Sequence, residues 1–217
     1  MSTAGLVFVG PCLLPRPTDT PHVQYWPPAR RGDLERAATT GVRVIGLIDG
    51  VFGQTLAVTP AEVRNAARGG LQLFGGASMG ALRACECPQA MQGVGEIWDR
   101  FVRRELTDDD EVAVTFLPGS YQTVAYPLVQ VREMAQLALQ QYPDASAELE
   151  QFVASVRQLP FVERTLEQLR QLAATLTASG IAWAKLEEWL TAPAFDLKRR
   201  DALRVVAAVA AAVSQSC

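Results

Sequence analysis

Two short apolar runs, Val42–Ile48 and Leu71–Phe74, flank a helix whose two ends are both written in the chain. Thr59 is an N-cap, Pro60 takes the first helical position where its missing N–H costs nothing, Glu62 puts an acid in the first turn, and Arg68-Gly69 closes the far end. Runs this short, rich in Val, Ile, Leu and Phe and ending in Gly or Asp-Gly, read as strands buried on both faces. A third run of this kind, Leu6–Val9, stands near the start, and a weaker helix pattern over Asp33–Thr40 precedes Val42. Strand and helix therefore alternate as in parallel βαβ units, which place their functional loops at the C-terminal ends of the strands.

Later segments change character. A fourth strand is expected over Glu111–Phe116, after an acidic turn. Beyond Pro127 the stretches Leu128–Gln141, Ala145–Gln158, Phe161–Ser179, Ala182–Leu190 and Lys198–Val213 carry Leu, Ala, Gln, Glu and Arg at helical spacing. The expected architecture is α/β: a parallel-sheet core over residues 1–126 and a mostly helical region over 127–217 packed on it, with Tyr121–Pro127 as the passage.

Composition excludes several classes of function. Apolar residues make up 49% and charged residues 20%, with a formal net charge of −3, which is the make-up of a folded chain and not of a disordered one. Clustered Lys/Arg of the kind a phosphate backbone demands is absent, so no nucleic-acid partner is expected. Cys12, Cys85, Cys87 and Cys217 fit neither a zinc spacing nor a secreted disulfide framework, which points to the reducing cytoplasm. Gly5–Val9 is too short for a signal-peptide core, and the apolar tail Ala202–Val213 is too short for a bilayer and carries Arg204, so no membrane association is expected.

Gly76-Ala77-Ser78-Met79-Gly80 matches the G-x-S-x-G nucleophile elbow and falls between an expected strand and an expected helix. Small residues around the serine let the chain turn sharply, so its hydroxyl projects from the strand end. The next backbone N–H groups then point the same way, which makes Met79 N–H the first oxyanion donor, backed by the helix dipole. Ser78 also has a plainer reading, as the N-cap of that helix. A phosphate cradle is less well supported, because the Lys and second Ser/Thr of a P-loop are missing after Gly80.

A nucleophilic serine needs a base, and the single histidine, His22, lies in the Pro-rich stretch Pro21–Pro28. Ser-Lys pairs solve the same problem when burial brings a lysine from ~10.4 toward neutrality, a shift of about three units or roughly 4 kcal/mol. Two lysines are available. Lys185, beside Glu187 and Glu188, reads as a solvated ion pair. Lys198, inside Asp196-Leu197-Lys198-Arg199-Arg200-Asp201, reads on its own as a basic surface turn.

Several motifs together carry a family resemblance. Gly10-Pro11 after the first strand, Trp26-Pro27-Pro28-Ala29-Arg30-Arg31-Gly32-Asp33, Ile48-Asp49-Gly50, GASMGALRA from Gly76 to Ala84 and DDDEVAV from Asp108 to Val114 occur in the order of the TfuA family. Over roughly its first 130 residues the chain resembles that family, and KRRDAL from Lys198 to Leu203 is similar to it as well. The resemblance implies a partner of YcaO enzymes, which activate a peptide amide with ATP so that sulfur can replace oxygen. It implies hydrolysis of the thiocarboxylated tail of a ThiS-like, ubiquitin-fold carrier and help in engaging the precursor peptide; no cofactor is expected. The serine and lysine of the family's hydrolase-like site fall on Ser78 and Lys198.

Residue chemistry and resemblance then agree on one mechanism. Lys198 takes the proton of Ser78, whose oxygen attacks the thiocarboxyl carbon. Met79 N–H and a second donor, from Cys12 or Gly50, hold the oxyanion while sulfide leaves, and water releases the acyl group. Arg83 either faces the carrier's carboxylate or is a helix-surface arginine. Asp49 either orients Lys198 or Arg83 or forms a turn.

The chain departs from the family where Thr59-Pro60 replaces a frequent Trp-His pair and Cys12 replaces a serine. Cys12 is read as packing, with sulfur acceptance as a persulfide the alternative. Cys85 and Cys87 stand where the family has small or apolar residues. The acidic run Asp108–Glu111 is read as a solvated turn, with Mg²⁺ binding as its alternative, and no metal is expected. Three rival functions remain open: a non-catalytic adaptor that docks YcaO, a free-standing esterase or thioesterase, and nucleotide binding at the glycine turn.

Overall fold

The three apolar runs form the centre of a sheet. The computed structural model describes residues 5–51, 56–117, 119–174, 176 and 180–215. Cys217 and the end of the expected Phe161–Ser179 helix lie outside these residues. In chain order the elements begin with strands β1 (Gly5–Phe8) and β2 (Val23–Trp26), then helix α1 (Asp33–Ala38), β3 (Val44–Leu47), α2 (Pro60–Arg68), β4 (Gln72–Gly76), α3 (Met79–Glu86), β5 (Gln92–Val94) and α4 (Glu96–Val102). A hairpin of β6 (Thr115–Phe116) and β7 (Thr123–Ala125) follows, then α5 (Leu128–Gln141), α6 (Ser146–Gln158), α7 (Leu166–Ala173), α8 (Trp183–Thr191) and α9 (Leu197–Gln215). The α/β class expected from the sequence is the class observed.

Contacts divide the chain into two units. One holds the described residues up to Thr107 together with those from Lys198 onward, and the other runs from Asp108 to Leu197. The dividing points are therefore 107/108 and 197/198, where the sequence suggested a single passage at residues 121–127.

In the first unit all five strands are parallel, in the order β2-β1-β3-β4-β5. Alternation along each strand sends Leu6, Phe8, Ile45, Leu47 and Leu73 to one face, against Leu34 and Ala37 of α1 and Val63 and Ala66 of α2. Val7, Val9, Val44, Ile48 and Phe74 go to the other face, where α9 covers them with Val205, Val206, Val209 and Val213. Gly5, Gly46 and Gly76 leave a channel on that face. A Cβ on Gly46 would stand 2.9 Å from Val209 Cγ2 and 3.0 Å from Val205 Cγ1, and one on Gly5 would stand 2.6 Å from Val209 Cγ1. Helix α9 seats in that channel, and each fully buried valine contributes on the order of 1.5 kcal/mol. In this unit two strands escaped the sequence reading: β2 is a half-exposed edge strand in a Pro-rich stretch, and β5 has three residues with Gly93 at its centre.

In the second unit, the strand expected over Glu111–Phe116 is reduced to Thr115–Phe116, because the acids before it are drawn into ion pairs. Asp109–Glu111 is a 3-10 turn in which Glu111 accepts from both Arg132 Nε (3.0 Å) and Arg132 NH2 (2.8 Å). Asp110 pairs with the fully buried Arg164, and Asp108 with Arg157. Helices α5 to α8 enclose a core that includes Leu128, Met134, Leu149, Phe152, Leu169, Leu186 and Trp189. The expected Phe161–Ser179 helix begins only at Leu166, after a 3-10 turn and the N-cap Thr165, whose side chain accepts from Gln168 N–H. No described helix is long and apolar enough to cross a membrane.

Candidate active site

The turn after β4 is tighter than its glycines alone suggest. Ala77 has φ +64°, and Ser78 N–H donates to Gly76 O at 2.8 Å, so Gly76-Ala77-Ser78 closes a three-residue γ-turn of the strained, positive-φ kind. The two glycines of the G-x-S-x-G motif serve close approach. A Cβ on Gly80 would lie 1.7 Å from Leu47 O, and one on Gly76 would lie 2.4 Å from Val94 O. They let α3 start against β3 and let β4 end against β5, and the unusual backbone angle falls on the alanine between them.

Ser78 stands at the N-cap position of α3, yet its side chain makes no capping hydrogen bond. Lys198 Nζ donates to Ser78 Oγ at 3.1 Å, across 120 residues of sequence. Both residues are buried, Ser78 at 3% exposure and Lys198 at 4%. Of the first four amides of α3, Gly80 N–H donates to Ile48 O, and Ala81 and Leu82 N–H to Ser78 O. Met79 N–H makes no such bond to a described residue, as is common for the first amide of a helix.

Lys198 reaches the serine because α9 begins at Leu197 and the lysine sits in its first turn. One turn further on is Asp201, a fully buried carboxylate that sequence reasoning passed over. Its Oδ1 accepts from Glu96 N–H at 3.0 Å and its Oδ2 from Ile97 N–H at 2.7 Å, so it caps α4 from another helix. Gly95 makes room for it. With φ +99° it adopts a backbone angle natural to glycine, and a Cβ there would meet the Asp201 carboxyl carbon at 2.3 Å. Burial pushes the Asp201 carboxyl above the usual carboxylate range, and the two N–H groups and Arg204 pull it back down. No local sequence pattern announces such a cap, since donor and acceptor are 104 and 105 residues apart.

The remaining sequence candidates are distributed around the C-terminal ends of the strands, but not all turn toward Ser78. Asp49, after β3, is 2% exposed and holds the loop after β1: its Oδ2 accepts from Gly10 N–H (2.7 Å) and Cys12 N–H (3.2 Å), and its Oδ1 from Cys12 Sγ (2.8 Å). Its carboxylate therefore secures the loop after β1. Arg83 donates through Nε to Val58 O at 2.6 Å and pairs through NH1 with Glu86. The backbone of Gly50 lies against the side chain of Met79, whose Cγ would be 2.7 Å from a Cβ at that position.

The alternative bases are accounted for. Lys185 forms an ion pair with Glu188 at 2.9 Å and lies over the Trp189 ring. His22 precedes β2, at the sheet edge opposite the C-terminal strand ends where Ser78 lies. Burial pushes the Cys87 thiol above its usual range, which suits packing. Among the described residues, no group of three or more His, Cys, Asp or Glu side chains is placed to hold a metal ion.

Residues 49–165 match the family model described as TfuA-like protein, just over half of the chain. The matched segment takes in Asp49, the whole elbow around Ser78 and the acidic run, and stops before Lys198. Among curated proteins none matches the chain.

Proposed function

The chain belongs to the TfuA-like protein family, and on that footing we propose that it releases sulfide from the thiocarboxylated terminus of a ThiS-like carrier protein, for use by a YcaO partner in forming a peptide thioamide. Family membership supports a role associated with thioamide formation. The hydrolytic step is our reading of the geometry. It is carried by one observation, the 3.1 Å approach of a buried lysine amine to an elbow serine whose hydroxyl does not cap its helix.

In this reading Lys198 Nζ accepts the Ser78 proton along the Nζ–Oγ line. Ser78 Oγ bonds to the thiocarboxyl carbon, the C–S bond breaks, and the sulfur takes the proton from Lys198 and leaves as HS⁻, which frees the amine for the second step. Water then attacks the acyl ester under the same lysine, returning the serine and a carboxylate terminus. Met79 N–H is the first oxyanion donor. Cys12 N–H is committed to Asp49, so of the two candidates for second donor Gly50 stays eligible. Burial of the pair favours a slender, extended chain terminus over a bulky ester.

The Ser78→Ala protein tests the proposal. Sulfide release from the thiocarboxylated carrier should fall by about 10²- to 10⁴-fold, and thioamide formation should become dependent on added sulfide. If the variant releases sulfide at the wild-type rate, there is no serine hydrolase here, and the adaptor role stands in its place.

A further inference from the structure

The first turn of α9 touches two neighbouring turns of the sheet's C-terminal edge at once. Strands β4 and β5 pair with Gly76 opposite Val94, so the turns that follow them, Ala77-Ser78 and Gly95-Glu96, emerge side by side. Lys198 reaches the first of these turns and Asp201 the second. The two residues are three apart on one helix and so share a face. A helix slipped by one residue would rotate this face by about 100° and part both contacts together.

Three observations say that the Asp201 contact is a built one. Its carboxylate is fully buried, it satisfies two backbone N–H groups with separate oxygens, and Gly95 is shaped to admit it. The α4 N-terminus has no capping side chain of its own, because its N-cap residue is Gly95. The carboxylate thus does for α4 what a local Ser or Asp would do, but from the helix that carries Lys198. A local cap would have served α4 equally well and left α9 unregistered.

We propose that Asp201 is the positioning residue of the site: by capping α4 it fixes the register and rotation of α9 and so holds the Lys198 amine in line with Ser78 Oγ. This rests on the Ser78–Lys198 reading above, and adds to it a residue that touches neither substrate nor serine. Misplacement of an amine by an ångström is worth about 10²-fold in rate, so the role has a measurable size.

The test compares Asp201→Asn, Lys198→Met and the double variant in the full chain, with sulfide release from a thiocarboxylated ThiS-like carrier as the assay. Asparagine keeps the size of the side chain but can accept from only one of the two N–H groups. The expected result is a kcat lower by about 10²-fold with KM unchanged, a moved pH midpoint, and a double variant no slower than Lys198→Met alone. A merely structural loss would lower the amount of active protein and leave the midpoint where it was. Wild-type kcat in folded Asp201→Asn, or losses that multiply in the double variant, overturns the proposal. Should Asp201→Asn not fold, Asp201→Ser, which also keeps one acceptor, carries the same comparison; if neither folds, the carboxylate is an anchor of the whole fold and the selective role is overturned. Equal rates for wild type and Lys198→Met would instead sink the Ser-Lys reading itself, and this proposal with it.

Discussion

A lysine amine and a serine hydroxyl 3.1 Å apart can exchange a proton in either direction, and what separates a proton acceptor from a structural hydrogen bond is whether the amine itself is required. Lys198→Arg retains a long cationic donor and Lys198→Met retains the length without the nitrogen; neither can accept the serine's proton. Both are expected to lose sulfide release by about 10²- to 10⁴-fold, measured as initial rates on the thiocarboxylated carrier. A structural hydrogen bond would let arginine substitute with activity intact. The elbow around Ser78 was legible in the sequence because it is a local pattern, whereas Lys198 read on its own as a basic surface turn and was singled out by the family resemblance. Asp201 and Gly95 were not legible, since a carboxylate capping a helix a hundred residues away leaves no periodic trace. The backbone angles of the elbow were not legible either: Gly76 and Gly80 answer to close contacts, and Ala77 takes the positive φ.

Among the elements, α9 carries the most consequence, because it both seals one face of the sheet and delivers the lysine. Its seat depends on Gly46, where a Cβ would press on Val209, Val205 and Val7 at 2.9, 3.0 and 3.2 Å. Valine side chains are stiff at χ1 and cannot swing aside, so the helix itself must move. Gly46→Ala is expected to cost about 1–3 kcal/mol in urea unfolding and to lower sulfide release in the protein that remains folded. Trimming the opposing side chain as well, in Gly46→Ala/Val209→Ala, should recover part of both. The boundaries of α2 and α5 were readable to the residue, because Thr59-Pro60 and Pro127 mark them in the chain. The strand expected over Glu111–Phe116 failed because alternation of Val112, Ala113 and Val114 said nothing of Arg132, Arg157 and Arg164, which draw the preceding acids into a turn.

At the scale of the whole molecule, buried carboxylates recur as cross-links between elements of the first unit. Asp49 holds the β1 loop, Asp201 caps α4, and Glu62 caps α1 by accepting from Gly32 N–H at 2.9 Å and Leu34 N–H at 3.2 Å. Burial pushes the Glu62 carboxyl above its usual range, against the downward pull of the N–H groups it accepts from, and Asp201 is raised in the same way. The folded chain therefore keeps protons that the unfolded chain has already released. Stability from these two groups is greatest on the acid side of the ordinary carboxylate range of about 4 and is lost as pH rises through their folded values. Urea midpoints measured from about pH 4 to about pH 7 should show that decline, and Glu62→Gln, which keeps an acceptor for Gly32 and Leu34, should flatten it. A variant with the same slope as wild type would exclude Glu62 as its source.

The reach of Lys198 back to Ser78 also has a consequence in time. The ribosome must add 120 residues after the serine before Lys198 exists, so in the proposed mechanism the nascent elbow is an alcohol without a base. Reactivity by that mechanism arrives with α9, which would make competence for the chemistry a report that the sheet has been closed over.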